Sequence, residues 1–416
     1  MEEKKYTHHV EGREPLVIYT DPTDVEYFFL EYMRDHTFPV ELVTEEPDHE
    51  NYIRYYHDQL PEGAVAEYAP LKGTRNKLPG DCTYQDKRLQ ARVYCYLKRI
   101  DPEMYYWAPI QWNLPVEYDK MAEHLSKVDE WFIGKPHIGE DALGIFLFKK
   151  KEEFDEKAGK AAYVVQKYLH NPHLLCKRKW DFRVYAWVQG VSPMTVHVSR
   201  EGLLRLCPKP YTMDDVEDRY VHVSNMICNE SEWDEDIPRR MVMEDALDLL
   251  QKQMPDIDVR EKMWSQIDLL VRRSLEAMRP HAQVMSEQFL KGKVSEDLNG
   301  KTFQMVAYDI MFDEDLNIFL VELNKHGCMK LDAHCVDNDG NRVAMECEPH
   351  KIVKPSVYAH GFNMCMGRGT SDTLVKVYDS TEAQDHPIEK SFRLFAALEA
   401  ARPHLDDMSK DEFLNL

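Results

Sequence analysis

The run Phe303-Gln304-Met305-Val306-Ala307-Tyr308-Asp309-Ile310-Met311-Phe312 sets one carboxylate inside an otherwise apolar stretch. An unpaired buried charge is costly, so Asp309 in such a strand needs a partner. After the acidic turn Asp313-Glu314-Asp315, a second apolar run from Asn317 to Leu323 carries Glu322 and Asn324 at its end. Residues i and i+2 of a strand share a face, so Glu322 and Asn324 project together. A hairpin then brings Asp309 opposite them. Three oxygen-bearing side chains at one spot suit a hard cation such as magnesium, with substrate phosphates and water completing its shell. The plainer account is that each acid faces solvent on the polar side of its strand.

Lys179-Trp180-Asp181-Phe182-Arg183-Val184-Tyr185 alternates charged and apolar residues. Period two puts Lys179, Asp181 and Arg183 on one face and Trp180, Phe182 and Val184 on the other. Alone this describes an ordinary half-exposed strand. With Arg205 on the next candidate strand, Gly202 to Leu206, it becomes a set of fixed charges of the kind phosphoryl transfer needs. Lys135 ends the apolar strand Trp131 to Pro136, beside a loop with Gly139 and Gly144, where a lysine can hold a phosphate. Val164 to Leu169 offers a strand edge whose backbone polar groups suit a flat purine, and by spacing it is equally a core strand. Asp337-Asn338-Asp339-Gly340-Asn341 fails as a calcium loop, because Cys335 falls on the first ligand position, and reads as a turn. His8 and His9 read as surface residues. The chain holds no GxSxG elbow, Walker A loop or HExxH helix.

The elements that must position these groups alternate between strand and helix. Residues 15–43 read strand, helix, strand, a βαβ unit. A helix is expected from Lys87 to Lys98 and a polar one from Val116 to Lys127, followed by strands at 131–136, 144–148 and 162–169. Residues 237–292 form a long helical region broken at Pro255 and Pro280. Beyond Pro355 the periodicity weakens to loop with one or two helices. The fold class is therefore α/β or α+β.

At 416 residues the chain suits two or three packed lobes, and 43% hydrophobic residues supply a core. The formal charge of −22, from 74 acidic and 52 basic residues, argues against nucleic acid as a partner. No run approaches about eighteen uncharged apolar residues, so no membrane span is expected. The N-terminus lacks the apolar core of a secretion signal. Nine scattered cysteines without a CxxC pair read as reduced thiols of a cytosolic protein.

In order, several segments resemble the tubulin tyrosine ligase-like family of ATP-grasp enzymes. They are Leu78-Pro79-Gly80, Ile133-Gly134-Lys135-Pro136, Val165-Gln166-Lys167-Tyr168, Lys179 to Tyr185, Glu201 to Arg205, His222-Val223-Ser224-Asn225, Tyr308-Asp309-Ile310-Met311 and Val321-Glu322-Leu323-Asn324. The likeness runs from about Lys72 to Pro355.

The resemblance implies an ATP-grasp fold behind an N-terminal βαβ lobe. Its expected divisions are 1–87, a central lobe 88–175, a C-terminal lobe 176–354 with the metal site, and an extension 355–416. It implies that Lys135 contacts nucleotide phosphates, that Gln166, Lys167 and Leu169 frame adenine, and that Lys179 and Asp181 engage the nucleotide. Arg183 and Arg205 would neutralise the terminal phosphate and an acyl phosphate, with Asn225 lining the site. Asp309, Glu322 and Asn324 would hold magnesium, manganese being the alternative ion. The implied reaction joins a free amino acid, glutamate first, to a carboxylate in the acidic tail of tubulin. A monomer in the cytoplasm, on the cytoskeleton or in a cilium or flagellum is the expected setting. The chain departs from the family pattern at His137 to Ile145, where Glu140 and Asp141 enter the loop, and at Lys325-His326-Gly327. Two other readings stand beside it: a non-catalytic microtubule or axoneme scaffold that keeps the fold, which the altered loop favours, and a ligase for a protein other than tubulin, which the net charge of −22 favours.

Overall fold

A computed structural model describes residues 14–20, 27–36, 38–56, 73–79, 87–137, 143–159, 161–224, 238–290, 301–324, 327–336 and 342–382. Near the N-terminus, β1 (Leu16–Tyr19), α1 (Tyr27–His36) and β2 (Val40–Val43) form the βαβ unit that their spacing predicts, with β1 and β2 parallel. Two short strands, β3 (Ile53–Arg54) and β4 (Thr74–Arg75), extend that sheet in the order β2-β1-β3-β4.

The amphipathic α2 (Lys87–Ile100) buries Leu89, Val93 and Leu97 at helical spacing. A second sheet follows, built from β5 (Gln111–Asn113), α3 (Tyr118–Leu125), β6 (Phe132–Pro136), β7 (Phe146–Phe148), α4 (Lys151–Ala158) and β8 (Tyr163–Lys167). Its order is β5-β8-β6-β7, so β6 and β8, which carry Lys135 and Gln166, are central and antiparallel neighbours.

The third and largest sheet begins with β9 (Leu174–Leu175), β10 (Arg178–Gln189) and β11 (Thr195–Leu206). The chain continues through α5 (Arg219–His222), β12 (Arg240–Val242), α6 (Met243–Gln253), α7 (Val259–Leu290), β13 (Phe303–Phe312) and β14 (Ile318–Asn324). The small hairpin β15 (Ala333–Val336) and β16 (Arg342–Met345), then α8 (Glu348–Cys365) and β17 (Leu374–Asp379), complete the described chain. The main path is β12-β11-β10-β13-β14, with β17 paired to β11 and β9 to β10. The architecture is mixed α/β, with eight helices among the described residues.

Both faces of this sheet are covered, which corrects the half-exposed reading of the Lys179 strand. On one face Trp180, Phe182, Val184, Ala186 and Val188 of β10 pack with α6 and α7. On the other, Trp187 meets Tyr358 and Phe362 of α8, and Tyr185 belongs to the same apolar cluster. Lys179 and Asp181 on that second face are themselves buried, at 4% and 2% exposure. Sequence pattern alone assigns a charged face to solvent, and here a helix downstream by some 170 residues closes over its continuation.

Pro255 falls between α6 and α7, as the expected break, whereas Pro280 does not break its helix and Pro355, where the periodicity weakens, lies inside one. Pro280 lies inside α7 and Pro355 inside α8, and each helix runs on past it. An internal proline costs a helix roughly 3 kcal/mol through one lost hydrogen bond and ring crowding. Burial of the flanking side chains Ala277, Met278 and Ala282, and of Val353, Val357 and Tyr358, offsets that loss. The strand β17 escapes the periodicity altogether. The segment 337–341, expected as a turn, lies outside the described residues, between β15 and β16.

Gly361 sets how closely α8 approaches. A Cβ at this position would overlap the Trp187 indole ring. Gly361→Ala is therefore expected to destabilise the chain by about 1–3 kcal/mol through overpacking. A urea titration checks this, and an unchanged midpoint would mean that the helix packs elsewhere in solution.

Candidate active site

Register across the large sheet assembles the charges. Arg240 of β12 pairs with Arg205 of β11, and Arg205 pairs with Asp181 of β10. Two residues along β10, Arg183 pairs with Asp309 of β13, which pairs with Glu322 of β14. Cross-strand partners share a face, so these residues occupy one side of the sheet. The expected hairpin is present, and Asp309 stands opposite Glu322. Asn324 pairs with Ala307, two residues away on the same face.

Asp309 has its partners. Arg183 Nε and Nη2 donate to its two oxygens at 2.9 Å each, and Arg205 Nη2 lies 2.8 Å from Oδ2. Arg205 Nε donates to Asp181 Oδ1 at 2.6 Å, and the Ser224 hydroxyl donates to Asp181 Oδ2. Burial alone would push the Asp309 carboxyl up, but the Arg183 and Arg205 guanidiniums outweigh it and hold the group well below the usual carboxylate range. Burial likewise opposes the charge on Arg205, and Asp181 and Asp309 more than restore it. Arg183 and Arg205, expected to neutralise a terminal phosphate, thus also hold the carboxylates together.

Lys135 joins the two sheets. Its Nζ donates to Gln166 Oε1 at 2.5 Å and to the Val321 carbonyl of β14 at 2.9 Å. Burial lowers its ammonium to about 8, with Glu322 and Asp309 opposing the shift. Glu322 Oε1 lies 3.2 Å from Lys87 Nζ. Gln90 clasps the backbone of Leu323, accepting from its N–H at 3.4 Å and donating to its carbonyl at 2.7 Å. The cleft among these groups is narrow, about 20 Å³.

The purine frame divides. Gln166 turns toward Lys135, whereas Lys167 points to the opposite face of β8 and pairs with Glu130 at 2.6 Å. Lys167 and Leu169 instead line a wider cavity of about 270 Å³ with Lys98, Pro109, Tyr168 and Phe319.

Lys179 donates to the Tyr168 hydroxyl at 2.8 Å. That hydroxyl lies 3.0 Å from His222 Nδ1, and His222 Nε2 lies 2.9 Å from the Asp215 carbonyl. A carbonyl only accepts, so Nε2 carries the ring proton and Nδ1 accepts from Tyr168. Burial lowers Lys179 to about 7, against the pull of Asp181. Asn225 lies outside the described residues, although its neighbour Ser224 reaches Asp181.

Tyr168, His222 and Ser224 lie inside the motifs of the resemblance, which assigns them no role. Gln90 lies outside every motif, and its one sequence signal is a polar residue among Leu89, Val93 and Leu97 on a buried helix face.

For a divalent cation the donor chemistry fits. Among the described residues no cluster of three or more His, Cys, Asp or Glu side chains forms, so such an ion would rest on Asp309, Glu322 and the Asn324 amide. Magnesium uses one or two carboxylates together with substrate phosphates. Asn324 Nδ2 is buried with no hydrogen-bond partner, and turning that amide over presents its oxygen in the same place.

A model of the tubulin-tyrosine ligase family matches residues 67–335. The chain is 25% identical over 264 residues to a probable beta-tubulin polyglutamylase of Tetrahymena thermophila, covering 60% of this chain and 21% of the relative. It is 30% identical over 225 residues to the probable tubulin polyglutamylase ttll-9 of Caenorhabditis elegans, covering 52% and 51%. It is 27% identical over 287 residues to the tubulin polyglutamylase TTLL11 of Mus musculus, covering 63% and 38%. The chain thus spans about half or less of the length of these relatives. With the site's charged register and a family match over residues 67–335, the chain belongs to the tubulin-tyrosine ligase family.

Proposed function

We propose that this chain is an ATP- and magnesium-dependent ligase of the ATP-grasp type that adds glutamate to a carboxylate of the tubulin C-terminal tail. The observation that carries the reading is the buried network of Asp309, Arg183, Arg205 and Asp181, with Lys135 and Glu322 at its rim. A fold alone has little use for so many desolvated charges, since apolar residues of similar volume stabilise a core as well. That argument also disfavours a silent scaffold.

In this reading the central lobe 88–175 and the lobe 176–354 clasp ATP between them, after an N-terminal lobe 1–87 and before an extension 355–416. Lys135 and Lys179 hold phosphate and nucleotide oxygens, and Leu169 and Lys167 border the base. Asp309, Glu322 and Asn324 hold magnesium or manganese, which would draw negative charge from the phosphates. Arg183 and Arg205 stabilise charge on the transferred phosphoryl group. The acceptor carboxylate takes the γ-phosphoryl group, ADP leaves, and the amine of free glutamate displaces phosphate to form the amide. Tubulin, or the microtubule, is the protein partner, which puts the chain on the cytoskeleton, with a cilium as one such place.

The test is ATP-dependent transfer of labelled glutamate by the purified chain to microtubules. Label should appear with magnesium and disappear when protease has removed the tubulin tails. Nucleotide binding without transfer of any amino acid would overturn the ligase reading.

A further inference from the structure

Lys179 is buried, yet one side chain alone holds it. Among the described residues its Nζ makes a single hydrogen bond, to the Tyr168 hydroxyl at 2.8 Å, and lies 4.0 Å from the centre of the same ring. Asp181, two residues along β10, spends its oxygens on Arg205 and Ser224. An ammonium has three donors and no acceptor. The Tyr168 oxygen takes one of them, so its lone pairs must face Lys179 and its own proton must go elsewhere.

The far end of the chain of hydrogen bonds fixes that direction. The Asp215 carbonyl only accepts, so His222 Nε2, 2.9 Å away, carries the ring proton. Nδ1 is left as an acceptor 3.0 Å from the Tyr168 oxygen, and the hydroxyl proton turns to it. Tyr211, whose ring stands edge-on to His222 at 5.8 Å, does not compete, because its hydroxyl donates to the His170 carbonyl at 2.7 Å. Burial pushes the Tyr168 hydroxyl well above its usual value and lowers His222, so the first stays a donor and the second neutral near pH 7. The charged groups that face His222 are Lys179, which opposes its protonation, and Asp218 and Asp215, which favour it. Asp218 is itself paired with Lys209 at 2.8 Å. Lys179 is faced by the Cys207 thiol, Asp181 and Lys135.

The three members come from different elements. Tyr168 follows β8 of the second sheet, Lys179 belongs to β10 of the third, and His222 ends α5. The chain reaches α5 by folding back from β11 over the end of β10, where the Cys207 N–H donates to the Lys179 carbonyl and the Tyr211 N–H to the Lys177 carbonyl, each at 2.8 Å. Tyr168, Lys179 and His222 are all buried, so water is a poor substitute for a lost partner. We infer that His222 is a positioning residue of the nucleotide site: it keeps the Tyr168 O–H turned away from Lys179, so that the ammonium is anchored on one side and offers its remaining N–H groups to a nucleotide phosphate. This rests on the ligase reading above, in which Lys179 holds nucleotide oxygens, and deepens it. The arrangement also sets a lower pH limit. A protonated His222 donates from both nitrogens. The Tyr168 O–H then loses its acceptor, and a second cation stands behind the hydroxyl that anchors Lys179.

The test measures binding of a non-hydrolysable ATP analogue with magnesium to the full chain by calorimetry. Tyr168→Phe and His222→Leu should each weaken binding about tenfold, the worth of one hydrogen bond to a charged group. His222→Asn, which keeps an acceptor near the Nδ1 position, should stay within about threefold of wild type. Combining Tyr168→Phe with His222→Leu should cost no more than about twofold beyond either alone, because both act through one hydroxyl. From pH 8 to pH 5 wild-type affinity should fall more steeply than that of His222→Asn, whose side chain takes up no proton. The phosphates of the analogue titrate alike in both. Tyr168→Phe and His222→Asn change little volume, so the pH comparison stands even if His222→Leu does not fold. Wild-type affinity in Tyr168→Phe, losses that multiply in the double variant, or parallel pH profiles for wild type and His222→Asn would each overturn the positioning role. A wild type that shows all the expected binding responses and yet transfers no glutamate to microtubules would overturn the ligase reading and leave the positioning role standing.

Discussion

Asp309→Asn is expected to cost the fold about 3–5 kcal/mol, the loss typical when one partner of a buried ion network is removed. Asparagine fills the same volume, but Arg183 and Arg205 would each keep a buried charge without its counter-ion. The same network makes stability depend on acid. The folded-state carboxyl titrates below the unfolded value of about 3.9. Its stabilising contribution is therefore complete above the unfolded value and drains away as pH falls through the folded one. Urea midpoints measured from pH 6 to pH 3 should fall in the wild type and fall less steeply in Asp309→Asn. A variant within about 1 kcal/mol of wild type at pH 7 would show that the arginines find other anions, contrary to the register described.

Glu322→Gln should separate chemistry from stability. Glu322 is half-buried, with a side chain 28% exposed, and its partner Lys87 is 25% exposed. Such a pair is worth about 1 kcal/mol or less, so the urea midpoint should hardly move. Transfer of labelled glutamate should fall by about a hundredfold or more, since a metal ligand supplies several kcal/mol of transition-state stabilisation. The magnesium dependence of nucleotide binding should weaken with it. Activity that survives this substitution would remove Glu322 from the metal set and leave Asp309 as a structural carboxylate.

The two substitutions contrast because Asp309 and Glu322, paired across one hairpin, differ in surroundings. That hairpin was legible from the chain: a carboxylate in an apolar run, an acidic turn, and two polar residues at period two. The helix α2 and the βαβ start were legible for the same reason, namely that backbone geometry imposes its period on the apolar residues. Pro280 misled because a proline signals a local break, whereas burial of the flanking faces outweighs one missing hydrogen bond. The residues expected to frame adenine divide between two sides, because Gln166 and Lys167 are consecutive on β8 and point to opposite faces of the strand.

Alternation and residue type along the chain determined the mixed α/β class, the hairpin, and the presence of Lys179, Asp181, Arg183 and Arg205 on strands. Only the tertiary structure decided what those charges do. Arg183 and Asp309 are 126 residues apart, and their bidentate pairing exists because β10 and β13 are neighbours in the sheet. Tyr168 and His222 reach Lys179 by way of a second sheet and a short helix that no local pattern connects to it. Periodicity is a short-range property of the backbone. Counter-charge is a matter of a few ångströms in space, and the order of strands sets that distance.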